Sequence, residues 1–96
     1  MDPALRRVLR QWPFERMRLD DAKVDALLGV IIITCEREGT YGPLAAFQVP
    51  LPGARLAAQK FADRCHGQLG VLYVSVADPR ERTRILNEVR ALIRTG

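Results

Sequence analysis

The chain has 96 residues, of which 48% are apolar and 27% charged, and its net charge is +4 at pH 7. This length and apolar content predict a single domain, residues 1–96, whose core needs neither a metal nor a disulfide. The composition is unlike that of a disordered chain, and no apolar run is long enough to cross a membrane. Since no apolar signal-peptide segment follows the first arginines either, we expect a cytoplasmic protein without membrane contact.

The charges are distributed unevenly along the chain. Residues 1–18 carry a net charge of +3, residues 19–53 of −3, and residues 79–96 of +3. Nearly all the positive charge is arginine, whose planar guanidinium binds carboxylates and phosphates through paired hydrogen bonds. A genome rich in G and C would also favour arginine over lysine, so the positions of the arginines carry more information than their number.

Two helices are predicted before the first strand. Asp2 followed by Pro3 is a typical helix start. Apolar residues then recur at helical spacing until Pro13 ends the helix, and they are Leu5, Val8, Leu9 and Trp12. A second, short helix is expected to begin at Asp20 or Asp21 and to end near Gly29.

The apolar run over residues 27–34 predicts the central strand of a sheet. Its three consecutive isoleucines are β-branched, and its apolar residues occupy both alternations, which indicates burial on both faces. One long helix from Asp20 to about Glu38 is the alternative. The glycines and proline of residues 39–43 indicate a turn, and residues 44–49 are predicted to be the antiparallel hairpin partner.

The second half of the chain predicts a helix, a strand and a helix. Alanines recur on one side of residues 54–65, which favours a helix lying close to the sheet, and His66 and Gly67 end it. Residues 69–77 are rich in β-branched side chains and predict a second interior strand. Asp78, Pro79 and Glu81 then have the spacing of a helix cap, a first helical residue and a capping box.

These elements follow the order α-α-β-β-α-β-α. They predict an α/β fold, with α+β as the alternative class: a small three-stranded sheet, made of a hairpin plus a crossover strand, with helices on both faces. Three strands leave edges exposed unless the first helices cover one of them. The exposed edges favour a homodimer.

One part of the chain resembles a known family. A hairpin with a glycine-containing turn, an alanine-rich helix, the strand Gly70–Val74 and an acid-proline helix start follow one another here. This succession resembles the later part of roadblock-type dimerisation modules. The resemblance implies a homodimeric scaffold without catalytic activity.

Cys35, Cys65 and His66 are the only soft ligands in the chain, and they lack the paired short spacings of a zinc site. We interpret Cys35 as a buried strand residue and Cys65 as a small apolar residue facing the sheet. A disulfide between them is compatible with the sequence, but the expected cytoplasmic location argues against it. No catalytic, metal or cofactor site is predicted, and an enzyme using Cys65 or His66 is a third hypothesis.

The aspartates at positions 20, 21 and 25 could be taken for a metal-binding cluster, but helix capping explains them more simply. No nucleotide-binding glycine motif is present. The arginines are therefore the remaining functional signal.

Four arginines of the last helix lie outside its apolar arc, and with Tyr41 of the glycine-containing turn they are the predicted partner-binding residues: Arg80, Arg84, Arg90 and Arg94. The sequence predicts a non-enzymatic protein–protein interaction module, or a small regulatory or scaffold protein. Its protein partner is of unknown identity. The alternative is a nucleic-acid-binding protein that also uses Arg6, Arg7 and Arg10 of the first helix. No aromatic residues are interleaved with these arginines for base stacking.

Overall fold

The computed structural model describes residues 3–17, 28–49, 56 and 59–95, without the side chains at positions 40, 41, 94 and 95. The elements in chain order are helix α1 (Pro3–Gln11), strands β1 (Glu15–Met17), β2 (Gly29–Arg37) and β3 (Thr40–Val49), a 3-10 turn (Ala62–Arg64), strand β4 (Gln68–Ser75) and helix α2 (Pro79–Thr95). Within this part of the chain the fold is a mixed α+β domain, the alternative class considered above.

Among the described residues the sheet has four strands in the order β1-β4-β2-β3, and every neighbouring pair is antiparallel. Strands β2 and β4 are interior, as predicted. The prediction of three strands is wrong, because β1 pairs with the outer side of β4, where Arg16 lies opposite Leu72. This strand has only three residues and an arginine at its centre, so it has no apolar alternation that could reveal it.

Strand β2 is buried on both faces. Ile31 and Ile33 belong to the core on one face of the sheet, and Val30 and Ile32 belong to the core on the other. All four are at most 2% exposed. The prediction of a central strand is confirmed, and the alternative of one long helix through residues 20–38 is wrong over residues 29–37.

The hairpin between β2 and β3 turns at Glu38 and Gly39, whose φ angles are 53° and 81°. Two successive positive φ angles are typical of the tight turns that join antiparallel strands. Because this turn is so short, β3 begins at Thr40 and is longer than the predicted strand over residues 44–49. Tyr41 therefore lies in the ladder opposite Glu36, and its predicted place in an exposed loop is wrong.

Both long helices cover the same face of the sheet, which we call the helical face. Leu5 and Val8 of α1 and Ile85, Leu86 and Val89 of α2 share one buried cluster with residues of β2, β3 and β4. Helices were predicted on both faces, and in the described residues the two long helices both lie on this one face. The apolar arcs of both helices were correct, but periodicity does not show which face of a sheet a helix covers.

The opposite face is covered by the segment that crosses from β3 to β4, which we call the crossover segment, and its described residues are 56 and 59–67. Leu56 and Gln59 are helical, and the Lys60 N–H donates to the Leu56 carbonyl at 3.2 Å. A 3-10 turn follows, so the described end of the predicted helix over residues 54–65 is less regular than expected. The predicted helix over residues 20–28 lies outside the described residues, except for Leu28, which is not helical.

Candidate functional site

The start of α2 is fixed by the residues that predict it. The Arg80 backbone N–H donates to Asp78 Oδ1 at 2.9 Å, and the Arg82 N–H donates to the Asp78 carbonyl at 3.0 Å. The Trp12 indole Nε1 donates to Glu81 Oε1 at 2.9 Å. Glu81 therefore joins the end of α1 to the first turn of α2, and the two helices form one layer.

The predicted arginines of both helices lie in this layer. Six of them are exposed: Arg6, Arg7, Arg10, Arg80, Arg84 and Arg90. The backbone of Arg94 lies in α2, and its side chain, like that of Tyr41, is outside the described residues. The structure thus places on one side of the sheet two arginine sets that the sequence assigns to opposite ends of the chain.

The acidic residues of the layer neutralise this charge incompletely. Helix α1 contains no acidic residue, and Glu81 and Glu88 of α2 are both half-buried. Arg84 Nη1 lies 4.0 Å from Glu81 Oε2, and the two side chains are 65% and 37% exposed. An ion pair of this kind contributes little to stability.

Arg82 differs from the other arginines of α2 because it turns back toward the sheet. Its Nη1 donates to the Val76 carbonyl at 3.4 Å, and its Nε is buried without a hydrogen-bond partner. The side chain is half-buried rather than exposed. Arg82 therefore supports the loop between β4 and α2 and does not belong to the exposed set.

A shallow, open groove lies where α2 passes over the outer strand β3. It is lined by Phe47, Gln48, Leu86 and Arg90, and its volume is about 370 Å³. Leu86 is buried and Phe47 half-buried, whereas Gln48 and Arg90 are exposed. The sequence predicted Arg90 but not this groove, because the groove depends on how α2 crosses β3.

The two cysteines form a disulfide. Cys35 at the end of β2 is bonded to Cys65 of the crossover segment, 30 residues further along the chain. The interpretation of both as unpaired apolar residues is therefore wrong. While this bond is intact neither sulfur is a thiolate, so an enzyme using Cys65 would have no nucleophile in this state.

The neighbours of the disulfide offer no obvious metal site. His66 is exposed. Among the described side chains no three or more His, Cys, Asp or Glu residues are grouped so that they could hold a metal ion. The aspartates at positions 20, 21 and 25 lie outside the described residues.

Comparisons with family models, with curated protein sequences and with solved structures find no match for this chain. Among the helices of the described residues, none has the length and apolar character that crossing a membrane requires. Function is therefore inferred from the geometry of the helical layer, the groove and the disulfide.

Proposed function

We propose that this chain is a non-enzymatic protein–protein interaction module, of a regulatory or scaffold kind, whose helical layer binds an acidic surface of a partner protein. The observation that supports this proposal is the gathering of exposed arginines from α1 and α2 on one side of the sheet. Arginine is enriched in protein interfaces, and its guanidinium fork matches the geometry of carboxylates.

The layer that carries these arginines is firmly attached to the sheet. Ile85 and Val89 of α2 and Leu5 of α1 are fully buried in one cluster. The bond between Trp12 and Glu81 links the two helices directly. The arginine side chains can move, but the backbone positions that display them are held in place, which lowers the ordering cost of binding.

The test compares two variants with the same loss of charge. The helical-layer variant combines three substitutions: Arg6→Gln, Arg80→Gln and Arg84→Gln. The control variant replaces three exposed basic residues outside the layer: Arg37→Gln, Lys60→Gln and Arg64→Gln. Each protein is used to capture partners from a lysate of the source cells, and the captured proteins are quantified by mass spectrometry.

We expect acidic proteins to be enriched on the wild type and on the control variant, and to be lost from the helical-layer variant. Direct binding of each enriched protein, repeated in purified form, then gives the affinity ratio. Equal binding by both variants would show that net charge, and not this surface, is responsible, and the proposal would be wrong.

Nucleic acid is the second candidate partner, because the same arginines could follow a phosphate backbone. The layer offers little for base stacking, since Trp12 is half-buried and donates to Glu81. Size exclusion at low salt, with absorbance recorded at 260 and 280 nm, separates the two candidates. A peak that carries nucleic acid and loses it with added salt would favour this second function.

Homodimer formation remains a prediction from the open edges of the sheet. Strand β1 covers part of the outer side of β4, whereas β3 is the outer strand at the other end. Light scattering on the same size-exclusion peak measures the mass directly. A monomer mass at high protein concentration would contradict the prediction.

The cytoplasmic location also remains a prediction, and the disulfide is an observation against it. Disulfides persist mainly in oxidising compartments and are rare in the cytosol of most organisms. Rapid alkylation of free thiols in intact cells, followed by mass spectrometry of Cys35 and Cys65, tests this point. Two alkylated cysteines would favour the cytoplasm, and two protected ones an oxidising compartment.

A further inference from the structure

The groove between β3 and α2 has two exposed polar residues, Gln48 and Arg90. Gln48 and Arg90 supply an amide and a guanidinium, whereas Leu86 is only 3% exposed and the Phe47 ring packs on the opposite face of the sheet. An extended segment can add to an exposed strand edge through its backbone, and a charged group beside that edge can select its side chains. At about 370 Å³ the groove is large enough for one or two side chains of a partner, and too small for a folded surface.

The pairing of the strands fixes the direction of the Gln48 backbone. The Val76 N–H donates to the Leu28 carbonyl at 3.1 Å, so Leu28 and alternate residues of β2 after it bond toward β4. Val30 is one of these residues, and Gln48 lies opposite Val30 on β3. The backbone N–H and C=O of Gln48 therefore point away from β2, toward the outer side of the sheet.

We propose that this groove binds a short, extended, acidic segment of the partner protein, with a carboxylate on Arg90. The segment's backbone pairs with the outward N–H and C=O of Gln48. This inference rests on the proposed function and specifies the partner's chemistry. It does not depend on the three arginines replaced in the helical-layer variant.

Charge decides between this occupant and a second copy of the chain. A second copy would bring another Arg90 and a net charge of +4 to a groove that already carries a guanidinium. Like charges meeting at an interface are unfavourable, whereas a carboxylate is complementary. The geometry thus favours an acidic segment over self-association at this site.

The test uses two synthetic peptides that differ in one charge: acetyl-Leu-Glu-Leu-amide and its neutral isostere acetyl-Leu-Gln-Leu-amide. Each is titrated into the full chain labelled with nitrogen-15, and backbone amide shifts are followed by NMR. We expect shifts at the four groove residues, and binding of the neutral peptide weaker by about two- to five-fold.

Two matched variants locate the carboxylate. Arg90→Gln should abolish the preference for the acidic peptide, whereas Arg84→Gln, the same change on the same helix outside the groove, should preserve it. Gln48→Pro removes one outward N–H without removing a bond to β2, so it should weaken both peptides while the other amide signals keep their dispersion.

Three results would overturn the inference: no shifts with either peptide at millimolar concentration, equal effects of the two arginine variants, or shifts spread over α1. Concentration-dependent shifts of the groove residues without any peptide would show that a second copy is the occupant. If the groove fails while the helical-layer variant still loses its acidic partners, the proposed function stands. If both fail, neither proposal survives.

Discussion

The two faces of the sheet are covered in different ways. On the helical face, two helices bury a cluster that includes Leu5, Ile32 and Ile85, each fully buried. On the opposite face, the described cover is the crossover segment, whose Phe61 ring lies 6.2 Å from the Phe47 ring and is itself half-buried. Hydrophobic burial holds the first cover, and a covalent bond to Cys35 reinforces the second.

The difference matches the functional proposal. A surface that binds a partner needs a rigid backbone, and the helical face supplies it through burial of apolar side chains. The crossover segment also approaches β2 closely, because a Cβ at Gly67 would lie 2.0 Å from the Glu36 carbonyl oxygen. Its attachment therefore depends on a few specific contacts, each of which can be removed separately.

The largest expected effect comes from the helical face. Ile85→Ala should lower the free energy of unfolding by about 4 kcal/mol, because Ile85 is fully buried and the substitution leaves a cavity between α2 and the sheet. Urea denaturation measures this loss. Phe61→Ala on the opposite face should cost about half as much, since Phe61 is only half-buried. Equal losses would remove the contrast between the two faces.

Cutting the disulfide should have the next largest effect. Reduction of the Cys35–Cys65 bond releases a loop of 30 residues, and a loop of this length predicts a loss of about 3.6 kcal/mol in unfolding free energy. Urea denaturation with and without a dithiol reductant measures it. The double variant Cys35→Ser, Cys65→Ser should show the lower stability in both conditions, which excludes any other effect of the reductant.

Hydrogen exchange shows which part of the molecule is destabilised when the disulfide is reduced. We expect reduction to raise amide exchange in residues 59–67 and to leave α2 unchanged, because the disulfide joins the crossover segment to β2 and not to α2. Faster exchange in α2 would show that the faces are coupled, and the comparison would fail.

Local signals in the sequence predicted much of the fold. The isoleucines of β2 and the valines of β4 predicted two interior strands, and Asp78 followed by Pro79 predicted α2. These predictions succeed because each depends only on residues that are close together in the chain. Strand β1 and the common face of both helices were not predictable in this way. Both depend on contacts between residues far apart in the chain, such as Arg16 opposite Leu72.

For the candidate site too, the sequence predicted the local features but not the contacts between residues far apart in the chain. Arginine exposure followed from the apolar arcs of α1 and α2, which place Arg7 and Arg84 outside the core. The groove did not follow, because Gln48 and Arg90 meet only through the crossing of α2 over β3. The sequence did not decide whether the disulfide forms, because spacing alone does not show whether two cysteines approach each other.

Removing the bond between the helices should have a smaller effect. Trp12→Phe deletes the donor to Glu81 Oε1 and should lower the unfolding free energy by about 1 kcal/mol beyond the lost ring area. A double-mutant cycle with Glu81→Ala isolates the pair from that area. A coupling energy near zero would show that burial alone aligns α1 with α2.

The smallest expected effect lies on the crossover segment. The Arg64 guanidinium carbon lies 5.3 Å from the centre of the Phe61 ring, an exposed cation–π contact. Arg64→Gln should therefore lower the unfolding free energy by about 0.5 kcal/mol, whereas Lys60→Gln, a nearby change of equal charge, should lower it less. The informative comparison is with the disulfide removed. If the bond holds the segment on the sheet, Arg64→Gln should have no effect in the double-serine variant, because Phe61 has left Phe47. An undiminished effect there would show that the segment stays in place by packing alone, and that the two faces are held in the same way after all.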